Sequence, residues 1–360
     1  MRINFILPQN GNEPVGGYKV VYQYANYLSE KQHEVHIYFV ILPNGNGLTY
    51  AISLLKRKVI SMFNNKTRKV TWFKLAKEVR LHFNVLPHQI TRINSGKIVA
   101  TFWKTASLVN KARVKKNNKF YLIQGFEIFA GSEERILETW KLSLNKIVIS
   151  KWLFQKLKSI GEHAEYIPNF LDLNIWHYVT KKNSNPTVSM LWHENSRKGS
   201  KTGLEVIFEL KRSIPDLEVI FFGTSERPSL LPNWMEYFQN ASEEELREKI
   251  YSQSDVYIMT SEFEGWGLTA MEAMAVGTAV VSTANGGIDE FSLEDITVKK
   301  VSVGNRDEMK NAVLDLLMNN EVRRQQESAA MQMIRQFSLE ESGQHLEEFL
   351  MGKSKDELDE

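Results

Sequence analysis

The stretch from Asp255 to Phe291, DVYIMTSEFEGWGLTAMEAMAVGTAVVSTANGGIDEF, constrains the fold more than any other part of the chain. Its apolar runs and glycines predict a strand over 256–260, a polar turn over 261–267, a helix over 268–276 and a strand over 278–282. A second glycine turn follows at Gly286 and Gly287. On the helix, Leu268, Met271, Ala275 and Val276 share one face, and the alanines at 270, 273 and 275 allow close approach to a sheet. Gly265 and Gly267 stand just before it, so amides without a helical partner point out of the first turn and suit an anion. Glu264 and Glu272, eight positions apart, would repel a bare anion. They fit a diphosphate joined to hydroxyl-rich groups, because a carboxylate accepts two hydroxyl hydrogen bonds. Two solvated glutamates on an ordinary βαβ unit are the alternative on these residues alone.

The whole string resembles the donor-site signature of retaining glycosyltransferases of family 4. Ser261, Glu264, Gly265, Trp266, Gly267, Leu268, Glu272, Ala273, Ala275, Gly286 and Gly287 fall in register, with Trp266 where phenylalanine is commoner. The resemblance implies an α/β GT-B fold, two Rossmann-like doubly wound parallel-sheet domains facing a central cleft. It also implies Glu264 on the donor sugar's hydroxyls, Glu272 on the ribose, and the amides of Gly265, Trp266, Gly267 and Leu268 on the phosphates.

The rest of the chain reads consistently. RINFIL is a buried strand, and a helix near 17–30 places Val21, Tyr24, Ala25 and Leu28 on one face. EVHIYFVI is the next strand. This βαβ opening lacks the glycine fingerprint of a nicotinamide site. Gly16-Gly17, a turn ahead of the helix, resembles the family's first glycine loop, which faces the donor phosphates. Strands at 97–102, 119–124 and 146–150 with helical spacers, one opened by Glu133, Glu134 and Glu138, predict a parallel doubly wound sheet. The run YLIQGFE, with IVISKWL and YIPNFLD, resembles a bacterial surface-polysaccharide branch, though Phe170 replaces the glycine of the family's interdomain turn.

A polar linker, KKNSNP (181–186), precedes a second unit with a strand at 187–192, a helix at 202–213, a strand at 217–223 and a helix at 243–252. In the loop HENSRKGSK, Lys198 and Gly199 match the family's lysine-glycine pair. His193 stands where the family has arginine, and Arg197 is the nearby replacement charge; a solvated basic loop is the plain alternative. Phe238–Asn240 is the expected nucleotide-base region, with Phe238 stacking. Helical segments at 306–319, 321–336 and 338–350 and a charged tail, GKSKDELDE, close the chain; the GT-B resemblance implies a final helix crossing back onto the first domain, and Leu339–Leu350 is the candidate. The expected domains are thus 1–175 with about 338–352 for the acceptor, and 176–337 for the donor.

Charge is unevenly shared. Residues 1–175 hold 26 Lys+Arg against 11 Asp+Glu, and the remainder 19 against 32. Between Leu54 and Phe83, nine basic residues and one acid alternate with Val59, Met62, Phe63, Trp72, Phe73, Leu75 and Val79. A basic helix of that kind suits peripheral contact with an anionic membrane, a solvated helix with a core-facing stripe being the alternative. Nothing else supports nucleic-acid binding. The absence of cysteine removes disulfide and thiolate chemistry. No spanning apolar run or signal peptide is visible, so a cytoplasmic protein is expected.

A departing nucleoside diphosphate needs its charge neutralised. No Asp-x-Asp pair offers a metal site, whereas Lys198, Arg197 and the amides at 265–268 suit the metal-free solution. The substrates expected are a UDP-, GDP- or dTDP-type sugar and a saccharide or lipid-linked acceptor, with no cofactor. Retaining members react on the front face with a donor phosphate oxygen taking the acceptor proton, so no protein base is required, and the eight histidines show no clustering. Glu127, after the strand at 119–124, is the acceptor-positioning candidate, with a surface carboxylate the alternative. A non-catalytic subunit of a transferase pair is the competing reading, on the strength of His193; a phosphorylase would need a longer chain and an epimerase lacks this acidic pair.

Overall fold

The computed structural model describes residues 1–43, 47–128, 130–180 and 184–353. Residues 181–183 of the polar linker and 354–360 of the charged tail therefore lie outside the described residues. The chain divides into two compact units, Met1–Asn169 with Leu339–Glu360, and Phe170–Ser338.

The first unit has a seven-stranded sheet, β1 (Arg2–Pro8), β2 (Glu34–Val40), β3 (Arg80–Val85), β4 (Lys97–Ala100), β5 (Lys119–Ile123), β6 (Asn145–Val148) and β7 (Glu165–Tyr166). Their order is β3-β2-β1-β4-β5-β6-β7 and every pairing is parallel. A parallel sheet covered on both faces needs strands apolar on both sides, which explains why Ile3, Phe5, Ile6 and Leu7 are all buried. The helix Gly16–Glu30 covers one face through Val20, Val21, Tyr24, Ala25 and Leu28. Gly16 and Gly17 are its first two residues rather than a turn ahead of it.

The second unit repeats the plan with β8 (Thr187–Leu191), β9 (Glu218–Gly223), β10 (Glu236–Gln239), β11 (Val256–Met259), β12 (Ala279–Thr283) and β13 (Lys299–Val301). The order is β10-β9-β8-β11-β12-β13, again all parallel. Both units are Rossmann-like, and the strand order reverses between β1 and β4 in one and between β8 and β11 in the other. Loops leaving the carboxyl ends at such a reversal diverge to opposite faces and leave a crevice for ligands.

Several expectations change. The helix Leu268–Val276 buries every residue from Ala270 to Val276, not one face, because the helix Asn320–Ile334 and the turn Leu246–Tyr251 pack on it as well as the sheet. The segment at 243–252 is a single α-turn, capped by Ser242, that passes into a π-helical turn, Leu246–Tyr251. The basic stretch 54–83 is not one helix. Helix Gly47–Phe63 ends, a 3-10 turn follows at Asn65–Arg68, and the chain then runs irregularly to β3. Side chains of the first unit divert it: Asn10 donates to the Lys69 carbonyl at 2.6 Å, Asn26 donates to that of Lys74 at 2.9 Å and accepts from the Ala76 amide at 2.8 Å. Trp72 and Phe73 pack on Tyr22, each with ring centroids 5.4 Å away. Those aromatics serve the core.

The histidines do pair once. His36 and His82 stack across β2 and β3 with Nδ1 and Nε2 2.8 Å apart, and burial holds both below the usual imidazole range. Phe170, in place of the interdomain glycine, is fully buried, and its neighbour Leu171 donates its amide to Phe337 at 3.0 Å. That junction is extended chain paired with returning chain. The returning helix, Leu339–Met351, packs on Gly16–Glu30, with Gly343 against the ring of Tyr27 and Glu347 2.6 Å from His33. No described helix is long and apolar enough to cross a membrane.

Candidate functional site

In the second unit, the loop after β8 (192–199) and the loop after β11 (260–267) leave the sheet side by side at the strand-order reversal. Three contacts staple them. Thr260 donates its hydroxyl to the Lys198 carbonyl at 3.0 Å, and the Glu262 amide donates to the Arg197 carbonyl at 2.7 Å. Gly199, at φ +67°, lies so close to β11 that an added Cβ would overlap the Thr260 carbonyl oxygen. Glycine is required there both for the left-handed backbone and for the space.

This staple brings the Lys198 ammonium to 2.6 Å from Oε1 of Glu264. The Glu264 amide in turn donates to the Asn285 carbonyl at 3.0 Å, and Gly287 leaves room for the Trp266 carbonyl and the Glu264 Cβ. The loop therefore rests on the second glycine turn. Gly267, at φ +106°, caps the helix Leu268–Val276, whose first amides have no carbonyl one turn back. Trp266 does not offer its ring to a ligand: it is buried between Phe291 and Phe337, with centroids 5.4 and 5.7 Å away, and its Nε1–H points to the Met271 sulfur at 3.2 Å. What residue 266 can give is its backbone.

Glu272 is buried in the helix, and the Tyr251 hydroxyl donates to its Oε2 at 3.1 Å. Tyr257, on β11, lies within the electrostatic reach of both glutamates. Burial first, and the charges of Glu264 and Glu272 more weakly, push its hydroxyl far above the ordinary range, while its bond to Thr269 at 2.8 Å works the other way. Lys198 and Glu264 thus meet at the carboxyl edge of β8 and β11, and Tyr257 feels the charge of both Glu264 and Glu272. Sequence reading missed Tyr251 and Tyr257: Tyr257 sits in the apolar run VYIM, where a tyrosine reads as core, and Tyr251 stands among polar residues that give no sign of its partner.

His193 is exposed, and its Nδ1 accepts the Asn195 amide at 2.9 Å, which leaves the proton on Nε2. Desolvation and the nearby Lys198 charge lower its pKa, against the opposing pull of Glu264 and Glu194. A neutral His193 does not replace the positive charge of an arginine. Arg197 is half-buried in the 3-10 turn Ser196–Lys198. Phe238 is half-buried on the edge strand β10 opposite Phe222, and Asn240, at φ +53°, donates its amide to the Gly223 carbonyl at 2.7 Å. Phe238 is therefore at the carboxyl edge of β9 and β10.

In the first unit, a Cβ added at Gly17 would stand 3.4 Å from the Gln124 side-chain amide. Glu127 is not a surface group. Its carboxylate is buried and accepts the Trp103 amide at 2.8 Å, at the start of the helix Trp103–Asn110. Burial pushes its pKa up to about 8, although the Trp103 amide and the Tyr121 hydroxyl favour the charged form. Among the described residues, no three His, Asp or Glu side chains are grouped as a metal would need.

Residues 179–333 match the family described as glycosyl transferases group 1. The chain is 26% identical over 121 residues to the sulfoquinovosyl transferase SQD2 of Arabidopsis thaliana, a match covering 32% of this chain and 24% of that one. The chain spans about a quarter of the length of the curated relatives it matches. Its fold is that of sucrose-phosphate synthase from Thermosynechococcus elongatus, at TM-score 0.71 and 16% identity over 98% of both chains. It is also that of Anabaena HepE, solved with UDP-glucose, at TM-score 0.72 and 14% identity over 98% of this chain and all (100%) of that one. The chain has a GT-B-like fold, and its residues 179–333 match the glycosyl transferases group 1 family.

Proposed function

We propose that this protein moves a hexosyl group from a nucleoside-diphosphate sugar to a saccharide or lipid-linked saccharide, with retention and without a metal, in cell-surface polysaccharide synthesis on the cytoplasmic side. The observation that carries the reading is the 2.6 Å Lys198–Glu264 pair beside the capped start of the helix Leu268–Val276. Cation, amides and carboxylates at one strand-order reversal suit a ligand that is anionic in its middle and hydroxylated at both ends.

In this reading Lys198, helped by Arg197 and the amides of Gly265–Leu268, neutralises the diphosphate as the bond from the anomeric carbon to its oxygen breaks. Glu264 holds the donor sugar, Glu272 the ribose, and Phe238 stacks on the base. The new bond forms from the acceptor oxygen to the same face of the anomeric carbon, and the acceptor proton passes to a donor phosphate oxygen. Preorganised charge is worth most where water is excluded. The first unit takes the acceptor, with Glu127 positioning its hydroxyl. UDP-glucose in HepE supports a nucleotide sugar as the donor class.

The neutral His193 favours a second reading, a GT-B-like subunit that supports a partner transferase without turnover. A thermal-shift and transfer screen of UDP-, GDP- and dTDP-sugars separates the two. Stabilisation by one nucleotide, lost in Lys198→Ala and Glu272→Ala, with an α-configured product from an α-configured donor, supports the enzyme. No response to any of them favours the subunit.

A further inference from the structure

The helix Gly47–Phe63 leaves one side uncovered. Leu48, Ile52, Leu55, Val59, Met62 and Phe63 recur at helical spacing on a single stripe, and all are exposed, from 45% at Val59 to 83% at Phe63. On the opposite side Leu54 is half-buried and Ser61 buried, so the helix is anchored by its other face. A soluble monomer rarely leaves so long an apolar strip in water without a use for it.

The charges beside the stripe identify its occupant. At about 100° per residue, Lys56 and Lys58 project roughly 80° to either side of the stripe's axis. Exposed Lys66, Arg68 and Lys69 continue the basic border past the helix end. No acidic residue occurs between Glu34 and Glu78. A second copy of this chain would set these lysines against their own counterparts with no carboxylate to pair them. An anionic lipid leaflet satisfies both features: the apolar stripe enters the acyl boundary while the flanking lysines extend their stems and place their ammonium groups among the headgroups.

We infer that the helix Gly47–Phe63 is an in-plane anchor for anionic membrane, seated through Leu48, Ile52, Leu55, Val59, Met62 and Phe63. This narrows the basic stretch 54–83 to a helix that begins earlier and ends at Phe63. The inference is independent of catalysis, because lipid binding is read without turnover.

The test is co-sedimentation of the full chain with vesicles of phosphatidylcholine alone and with about a third phosphatidylglycerol. Each basic side chain near an anionic surface contributes about five-fold, so partitioning at least ten-fold higher onto the anionic vesicles is expected. Leu55→Glu lowers it about ten-fold or more, and Lys56→Glu with Lys58→Glu does the same, while melting temperatures hold because these side chains are exposed. Equal partitioning onto both vesicles, or undiminished binding by Leu55→Glu, overturns the inference. So does a concentration-dependent dimer that Leu55→Glu dissolves, which would assign the stripe to a second copy.

Discussion

The Lys198 ammonium lies 2.6 Å from a carboxylate oxygen of Glu264, across the reversal between β8 and β11. The two side chains are 66 residues apart in sequence and meet because Gly199 lets one loop lie on the end of the other's strand. In the proposed reading the diphosphate competes with Glu264 for this ammonium. In Lys198→Ala we expect transfer to fall about 10²–10³-fold. In Glu264→Gln the ammonium is released from its partner, so free nucleoside diphosphate binds at least as tightly while sugar transfer falls. Calorimetric binding beside radiolabel transfer reads both; weakened diphosphate binding in Glu264→Gln would contradict the assignment.

The Tyr251 hydroxyl donates to Glu272 in a buried setting, where a lost hydrogen bond to a charged group costs about 1.5–3 kcal/mol. The π-turn Leu246–Tyr251 sets the register that delivers it. Tyr251→Phe should raise the donor KM about ten-fold and leave kcat within about two-fold, because in the proposed reading Glu272 grips the nucleotide and not the reacting carbon. Initial-rate kinetics at saturating acceptor decide it, and an equal fall in kcat would place Tyr251 in the chemistry.

Glu127 gives a pH signature. Its folded pKa, raised to about 8, exceeds its unfolded value near 4.5, so the folded state binds the extra proton between those limits. Stability contributed by the neutral carboxyl is complete below about pH 4.5 and is lost as pH rises through about 8. Glu127→Gln cannot ionise and keeps an acceptor for the Trp103 amide. Its melting temperature should match the parent's near pH 5 and exceed it by several degrees near pH 8.5. A constant gap across that range would show that the carboxyl is already ionised in the fold.

Gly199→Ala puts a Cβ onto the Thr260 carbonyl and strains φ +67°. We expect a loss of about 2–4 kcal/mol in urea unfolding, with nucleotide binding weakened as the staple between the loops opens. Unchanged stability would mean the loops are not clamped there.

Much of this was legible in the sequence. Continuous apolar strands such as INFIL and VYIM, separated by helical spacers, determine a parallel sheet because nothing else buries both strand faces. The short edge strands β3, β7, β10 and β13 were not, since they bury little and carry little apolar signal: Glu165–Tyr166 is two residues long. The polar residues of the loops after β8 and β11 stood out as a string, whereas the hydroxyls of Tyr251 and Tyr257 did not: Tyr257 lies in the apolar run VYIM and looks like packing, and Tyr251 meets its partner Glu272 only once the chain is folded. The basic stretch misled for the opposite reason. Its charge suggested one helix, but Asn10 and Asn26 hold the second half by side-chain hydrogen bonds that periodicity does not register.

The pairing of Leu171 with the chain around Phe337 and Ser338 has a topological consequence. Phe170–Ser338 departs and returns at neighbouring points, so it is an insertion whose ends are already tied. Such a segment can be excised as one contiguous gene fragment, and the two pieces it leaves behind need only a short splice to restore covalent continuity. Nature, or an engineer, could exchange that cassette for another without rethreading its host.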